Sequence, residues 1–140
     1  MAQVDFYVLR QGGEQARQIF ACKLAEKAWR LKHTVHIRTE TRADAELLDK
    51  LLWTFRDGSF VPHVLLGTGQ ADAPVAIAAS SDTAAPRDLL INLASDVPAD
   101  APAFPRIAEL VSSDADCRQQ SRKRFAVYRD QGHALNTHTL

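Results

Sequence analysis

Residues 4–53 read VDFYVLRQGGEQARQIFACKLAEKAWRLKHTVHIRTETRADAELLDKLLW, and the order of patterns within them decides the fold. Residues 4–9 are β-branched, aromatic and apolar, the composition of a buried strand. Gln11, Gly12 and Gly13 break it. Residues 14–31 read as a helix, in which Ala16, Ile19, Phe20, Leu24 and Ala28 supply an apolar stripe and Lys23 and Lys27 a charged face. A short strand follows, centred on Val35 and Ile37. Residues 42–53 form a second amphipathic helix, with Ala45, Leu48, Leu51 and Leu52 recurring at helical spacing. Strand–helix–strand–helix is the signature of a parallel sheet covered by helices, because parallel neighbours need a crossover connection. The expected class is therefore α/β, with a mostly parallel sheet flanked by helices.

Downstream, Asp57-Gly58 and Pro62 are turn signals. FVPHVLLG, residues 60–67, holds room for a short strand that Pro62 restricts to a sheet edge or a strand start. APVAIAA and DLLINLAS read as two more strands, separated by the loop SSDTAAP at residues 80–86. DVPADAPAFP, with three prolines in ten residues, is a surface connection. RIAELV at residues 106–111 is expected to be the last strand. Residues 114–131 form the closing helix, stopped by Gly132. The tail HALNTHTL reads as short and polar.

The chain of 140 residues carries 17 basic and 17 acidic side chains, so its formal net charge is zero. That length is the usual size of one domain, here spanning residues 1–140. The charge balance argues against a general nucleic-acid coat, which needs a strongly basic domain. Cys22 and Cys117 are far apart and form no CxxC pair, so they mark neither a disulfide framework nor a zinc site. The first residues lack a basic stretch followed by an apolar one, and no apolar run is long enough to span a bilayer. A cytoplasmic protein with no membrane partner is expected.

Chemistry-bearing motifs are sparse. The two glycines after the first strand invite a nucleotide reading, but the third glycine of GxGxxG is missing. Glu14 would place a carboxylate where a phosphate should sit. GTGQADAP at residues 67–74 lacks the Lys-Ser/Thr of a phosphate loop. His33, His36, His63, His133 and His138 fall in no metal-binding spacing, and His33 and His36 are expected to face opposite ways. No nucleophile elbow occurs. No catalytic residue, cofactor or metal is expected.

Two surfaces stand out instead. LLWTFRDGSFVPH puts Trp53, Phe55 and Phe60 within eight residues, around the Asp57-Gly58 turn. Such aromatics either fold back to seal the core or form a docking patch, since Trp and Phe bury much area at small entropy cost. The second surface is CRQQSRKRFAVYRDQG, residues 117–132, where five of sixteen side chains are Arg or Lys. On a helix Arg118, Arg122, Phe125 and Arg129 share one face, with Ser121, Phe125 and Tyr128 on an adjoining one. Lys123 and Arg124 are expected to be solvated. A guanidinium row beside an aromatic suits an acidic peptide or a free carboxylate, through paired hydrogen bonds. It equally suits a nucleic-acid backbone with bases stacked on the aromatics.

FYVL, LLWTFRDGSFVPH, PVAI, RDLLINL and RKRFAVYRDQGHALNT run in order across nearly the whole chain. Together they resemble the chi subunit family of bacterial DNA polymerase III, an accessory subunit of the clamp loader. The resemblance implies a Rossmann-like fold, of the mononucleotide-binding kind, without nucleotide chemistry. It implies two partners. The acidic C-terminal tail of single-stranded DNA-binding protein, which ends in a Phe carboxylate, would dock on the last helix. There Arg122 would meet the terminal carboxylate, Arg118 would help hold the acidic residues, with further charge from Lys123 or Arg129, Phe125 would border an apolar pocket, and Thr137 would lie near the same site. The psi subunit would bind at Trp53 and Phe60, giving a monomer or a 1:1 heterodimer that touches DNA only indirectly. One departure is Ala126, where some relatives carry a further basic residue. The competing expectation is a direct single-stranded nucleic-acid binder that uses the basic helix.

Overall fold

The computed structural model describes residues 2–68, 71–79 and 85–140. Gly69 and Gln70, and residues 80–84 of the expected SSDTAAP loop, lie outside the described residues. Seven strands form one sheet: β1 (Gln3–Val8), β2 (Val35–Thr39), β3 (His63–Leu65), β4 (Val75–Ala79), β5 (Leu89–Asn92), β6 (Arg106–Val111) and β7 (Ala134–Thr139). Three helices connect them, α1 (Glu14–Arg30), α2 (Arg42–Thr54) and α3 (Ala115–Asp130). The sheet order is β3-β4-β2-β5-β6-β1-β7, and every pairing is parallel. Pro62 immediately precedes β3, which is an edge strand, so its missing N–H costs no central ladder bond.

Successive side chains along each strand face opposite layers. Ile37, Ile77, Ile91, Ala108 and Leu110 pack under α1 and α2. Val4, Phe6, Leu90, Ile107 and Val111 pack on the other face with Tyr128 of α3 and Phe104, which follows a short 3-10 turn at Ala101–Ala103. α2 buries Ala45, Leu48 and Leu52 as its periodicity requires, and Thr41 caps it by accepting from the Asp44 N–H at 3.1 Å. α1 departs from the expected stripe. It buries Ala21, Cys22, Ala25 and Ala28, while Ile19, Phe20 and Leu24 are only half-buried. Small side chains bring the helix axis close to the sheet, so the larger ones sit at its margins.

RIAELV is not the last strand. The tail read as short and polar is β7, paired in parallel with β1 from Gln3↔Ala134 to Val8↔Thr139. The closing helix therefore closes a β6–α3–β7 crossover rather than the chain. Gly132 makes the exit, with φ of 85°. Its N–H donates to the Arg129 carbonyl at 3.0 Å, and the His133 N–H to that of Tyr128 at 3.2 Å. β7 has one neighbouring strand, and most of its side chains are exposed. Such an edge selects polar residues, which hid it among turn and tail signals.

Candidate functional site

The last helix presents its residues on two stripes. Cys117, Ser121, Arg124 and Tyr128 face the sheet, with Ser121, Arg124 and Tyr128 buried. The expectation that Arg124 is a solvated cation is wrong: it is 4% exposed, whereas Lys123 is exposed as expected. The reason lies on β6. Arg124 Nε donates to Glu109 Oε1 at 2.9 Å and Nη1 donates to the Ser95 carbonyl at 2.9 Å. The Tyr128 hydroxyl donates to Glu109 Oε2 at 2.6 Å, and Asn92 Nδ2 to the same oxygen at 2.8 Å. Burial, and then the adjacent Glu109 charge, push the Tyr128 phenol far above its ordinary range. Buried charges persist where they are paired and bonded, and this network seats the helix on the sheet.

Beside that seat runs an open cleft between α3 and the β1–β7 edge. Phe6, Val8, Val111 and Phe125 make its apolar floor, with Ser121, Thr137 and Thr139 along the sides. Phe6 holds Phe125 at 5.3 Å between ring centroids and Tyr128 at 6.1 Å. Arg118 and Arg122 stand at the rim, exposed, and among the described residues neither has an acidic partner. Arg118, Arg122, Phe125 and Thr137 are thus brought together. Arg129 is not part of this lining; its guanidinium lies 3.4 Å from Asp130. Ala126 is half-buried on the same helix. Thr137 was found in the sequence through the family resemblance, whereas Thr139, on the same side of β7, was missed; its one signal was the alternation Leu135, Thr137, Thr139.

The arrangement is an anion rim over an apolar floor. Two guanidiniums without internal partners are free to donate paired bonds to a carboxylate, and the floor offers aromatic contact to the group that carries it. At the glycine turn the geometry is the reverse. The Gly13 N–H donates to Asp114 Oδ2 at 2.7 Å, and the Ser112 hydroxyl donates to the same oxygen at 2.9 Å. The bond from Gly13 is the leading cause of the lowered pKa of Asp114. A side chain on Gly12 would meet Asp114 Oδ1 at 3.0 Å. The chain's own carboxylate occupies the turn where a phosphate would be held.

The second surface lies at the far end of the sheet, where α2 meets β3. Trp53 is 52% and Phe60 58% exposed, with ring centroids 5.4 Å apart. Phe55 separates from them and packs against the core. His63 supports Trp53 at 4.6 Å, and its ring nitrogens lie 2.7 Å from the Val61 carbonyl and 3.0 Å from the Asp49 carbonyl. The loop that carries Phe60 is anchored on α1. Glu26, 3% exposed, accepts from the Ser59 hydroxyl and pairs with Arg56. Sequence reading missed this anchor, since Glu26 lies on a helix remote from the loop. Trp53 is therefore held outward from the last turn of α2, against His63, and Phe60 from the braced loop that follows.

Among the described residues no group of three or more His, Cys, Asp or Glu side chains is placed to hold a metal ion. No helix among them is long and apolar enough to cross a membrane.

Comparison with known proteins adds the remaining observation. A crystal structure of T4 UvsW superposes with a TM-score of 0.66 at 11% identity, covering 99% of this chain and 41% of that one. The chain thus spans about two fifths of that structure, and the likeness shows the fold alone. The chain is 43% identical over 140 residues to the DNA polymerase III subunit chi of Pseudomonas aeruginosa, covering 100% of this chain and 98% of the relative. It is 34% identical to the same subunit of Escherichia coli, covering 99% of each chain. It is also 34% identical to that of Haemophilus influenzae, covering 97% of this chain and 96% of the relative. The family model described as DNA polymerase III chi subunit, HolC, matches residues 1–136, and the chain belongs to that family.

Proposed function

We propose that this chain is a non-catalytic accessory subunit of the DNA polymerase III holoenzyme in DNA replication. It bridges the clamp loader, through the psi subunit, to the C-terminal tail of single-stranded DNA-binding protein. The tail occupies the cleft between α3 and β7, and psi covers Trp53 and Phe60. One observation carries the reading: Arg118 and Arg122 stand without acidic partners among the described residues, over a floor that includes Phe6 and Phe125. A peptide that ends in an aromatic residue and a free carboxylate satisfies both halves of that cleft. A phosphate backbone would satisfy the arginines, but Phe6 and Phe125, tilted by 51° against each other, are not parallel platforms for successive bases.

A short disordered peptide is ordered on binding, so modest affinity is expected. Added salt weakens it, because the acidic residues are held by screened attraction. Titration of the protein with the acidic tail peptide, and separately with a single-stranded oligonucleotide, tests the assignment. The peptide should bind, and Arg122→Ala should remove most of that binding. Tight oligonucleotide binding that Arg122→Ala abolishes, with no peptide binding, would establish the direct nucleic-acid reading instead.

A further inference from the structure

We propose that the outer stripe of α1, together with Arg56, forms a cationic groove that receives an acidic segment of the same partner whose apolar part covers Trp53 and Phe60. The proposal rests on the reading of those aromatics as a docking surface.

Lys23, Glu26, Lys27 and Arg30 recur at i, i+3, i+4 and i+7, so they form one stripe along the helix. Lys23, Lys27 and Arg30 are exposed. With Arg56 from the loop after α2, and with Leu31, they line one open groove. Glu26 is the only carboxylate in that lining, and it is already engaged by the Ser59 hydroxyl, Arg56 and, at 3.7 Å, Arg30. Among the described residues Lys23 and Lys27 have no acidic partner. The groove therefore presents a surplus of positive charge in a chain whose 17 basic and 17 acidic residues balance as a whole.

The end of a helix favours cations whatever their use, so Lys27 and Arg30 alone carry little weight. Arg56 is different. It belongs to another element, and Glu26 draws it to the same place. It also lies 5.8 Å from the Phe55 ring, in the braced loop that presents Phe60. Arg56 and Ser59 both engage Glu26, and Ser59 immediately precedes Phe60, so the groove begins at the loop that carries Phe60. A polypeptide that covers Phe60 and continues toward α1 therefore meets Arg56 before Lys23 and Lys27. Leu31, 61% exposed, gives the groove an apolar rim. The rings favour a polypeptide over a nucleic acid: Trp53 and Phe60 are tilted by 49° against each other, and do not form parallel platforms for successive bases.

Exposed charges next to an apolar anchor act mainly on encounter, through the association rate and its dependence on salt. The test is the double charge reversal K23E/K27E. Both side chains are exposed, and circular dichroism and thermal unfolding should match the parent. Binding of the psi subunit is followed by stopped flow at low and at physiological salt, with the acidic tail peptide as control and Trp53→Ala in parallel. K23E/K27E should slow association about tenfold at low salt and flatten its salt dependence, leaving tail-peptide binding unchanged. A parental rate and salt slope in K23E/K27E, where Trp53→Ala abolishes psi binding, would overturn the groove and leave the docking surface standing. Retention of psi binding by Trp53→Ala would overturn the docking surface itself. Loss of single-stranded oligonucleotide binding in K23E/K27E, with psi binding unchanged, would overturn the acidic partner in favour of a nucleic acid.

Discussion

The two candidate surfaces are built in opposite ways. The Trp53–Phe60 patch is local. Its two rings lie seven residues apart in the chain, and their support, His63, follows within three more. The cleft beside α3 is assembled from β1, β6, α3 and β7, whose parts span residues 6–139. The patch projects apolar area and requires a brace, which Glu26 supplies through Arg56 and Ser59. The cleft is concave, leaves its charges unpaired, and requires a rigid seat, which Glu109 supplies. A local patch is tolerant of change elsewhere in the fold, its one brace on α1 excepted. A cleft made of four elements is only as well placed as the packing between them.

The largest effect should come from removing that seat. Glu109→Ala leaves the Arg124 guanidinium buried without its carboxylate and costs about 3–5 kcal/mol of stability. Urea unfolding measures it, and a loss below about 1 kcal/mol, the worth of an exposed pair, would show that the network does not hold α3. The tail cleft should suffer with it, while the Trp53–Phe60 patch keeps its partner in the folded fraction. Next is Trp53→Ala, which should cost at least about 2 kcal/mol of psi binding, as a central aromatic anchor does. Tail binding should be unaffected, and joint loss of both activities would mean that Trp53 seals the core instead.

Arg122→Ala sharpens the comparison from the other side. On the proposed reading it should remove a charge-assisted bond worth about 1.5–3 kcal/mol from tail binding and leave psi binding unchanged. Arg122→Lys should restore little, since a lysine cannot make the paired bonds of a guanidinium. Isothermal titration with both partners reads the split. The smallest effect concerns the β1–β7 junction. Burial raises the Asp5 carboxyl, but bonds from His138, Arg106 and Gln3 outweigh it and hold the pKa below its ordinary 3.8. The unfolded chain therefore binds the proton more tightly than the folded one. The stability that Asp5 contributes is present above the ordinary value, and is lost as pH falls through the lowered one. Acid unfolding curves of Asp5→Asn should lack that component; curves that coincide with the parent's would show that Asp5 does not tie β7 to β1.

Much of the order of elements was legible because it rests on local patterning. β2 shows apolar alternation around Val35 and Ile37, α2 shows Ala45, Leu48 and Leu52 at helical spacing, and Pro62 places β3 at an edge. α1 was harder. The apolar residues it buries are small, and hydrophobicity follows side-chain size while burial follows the approach of the backbone. β7 was illegible as a strand, because an edge with one neighbour carries threonine, asparagine and histidine as comfortably as a loop does.

What the sequence determined by itself is the α/β plan, the absence of the glycine fingerprint, and the aromatic cluster at residues 53–60. Each follows from spacing along the chain, which secondary structure converts directly into faces and turns. Tertiary structure alone decided which cations are free. Arg124 and Arg122 are two residues apart on one helix, yet the first is buried against Glu109 and the second stands open at the cleft rim. That choice depends on a carboxylate fifteen residues away from Arg124, on the neighbouring strand. A charge's worth is set by the partner and the solvent around it, and neither is written in the spacing of the residues.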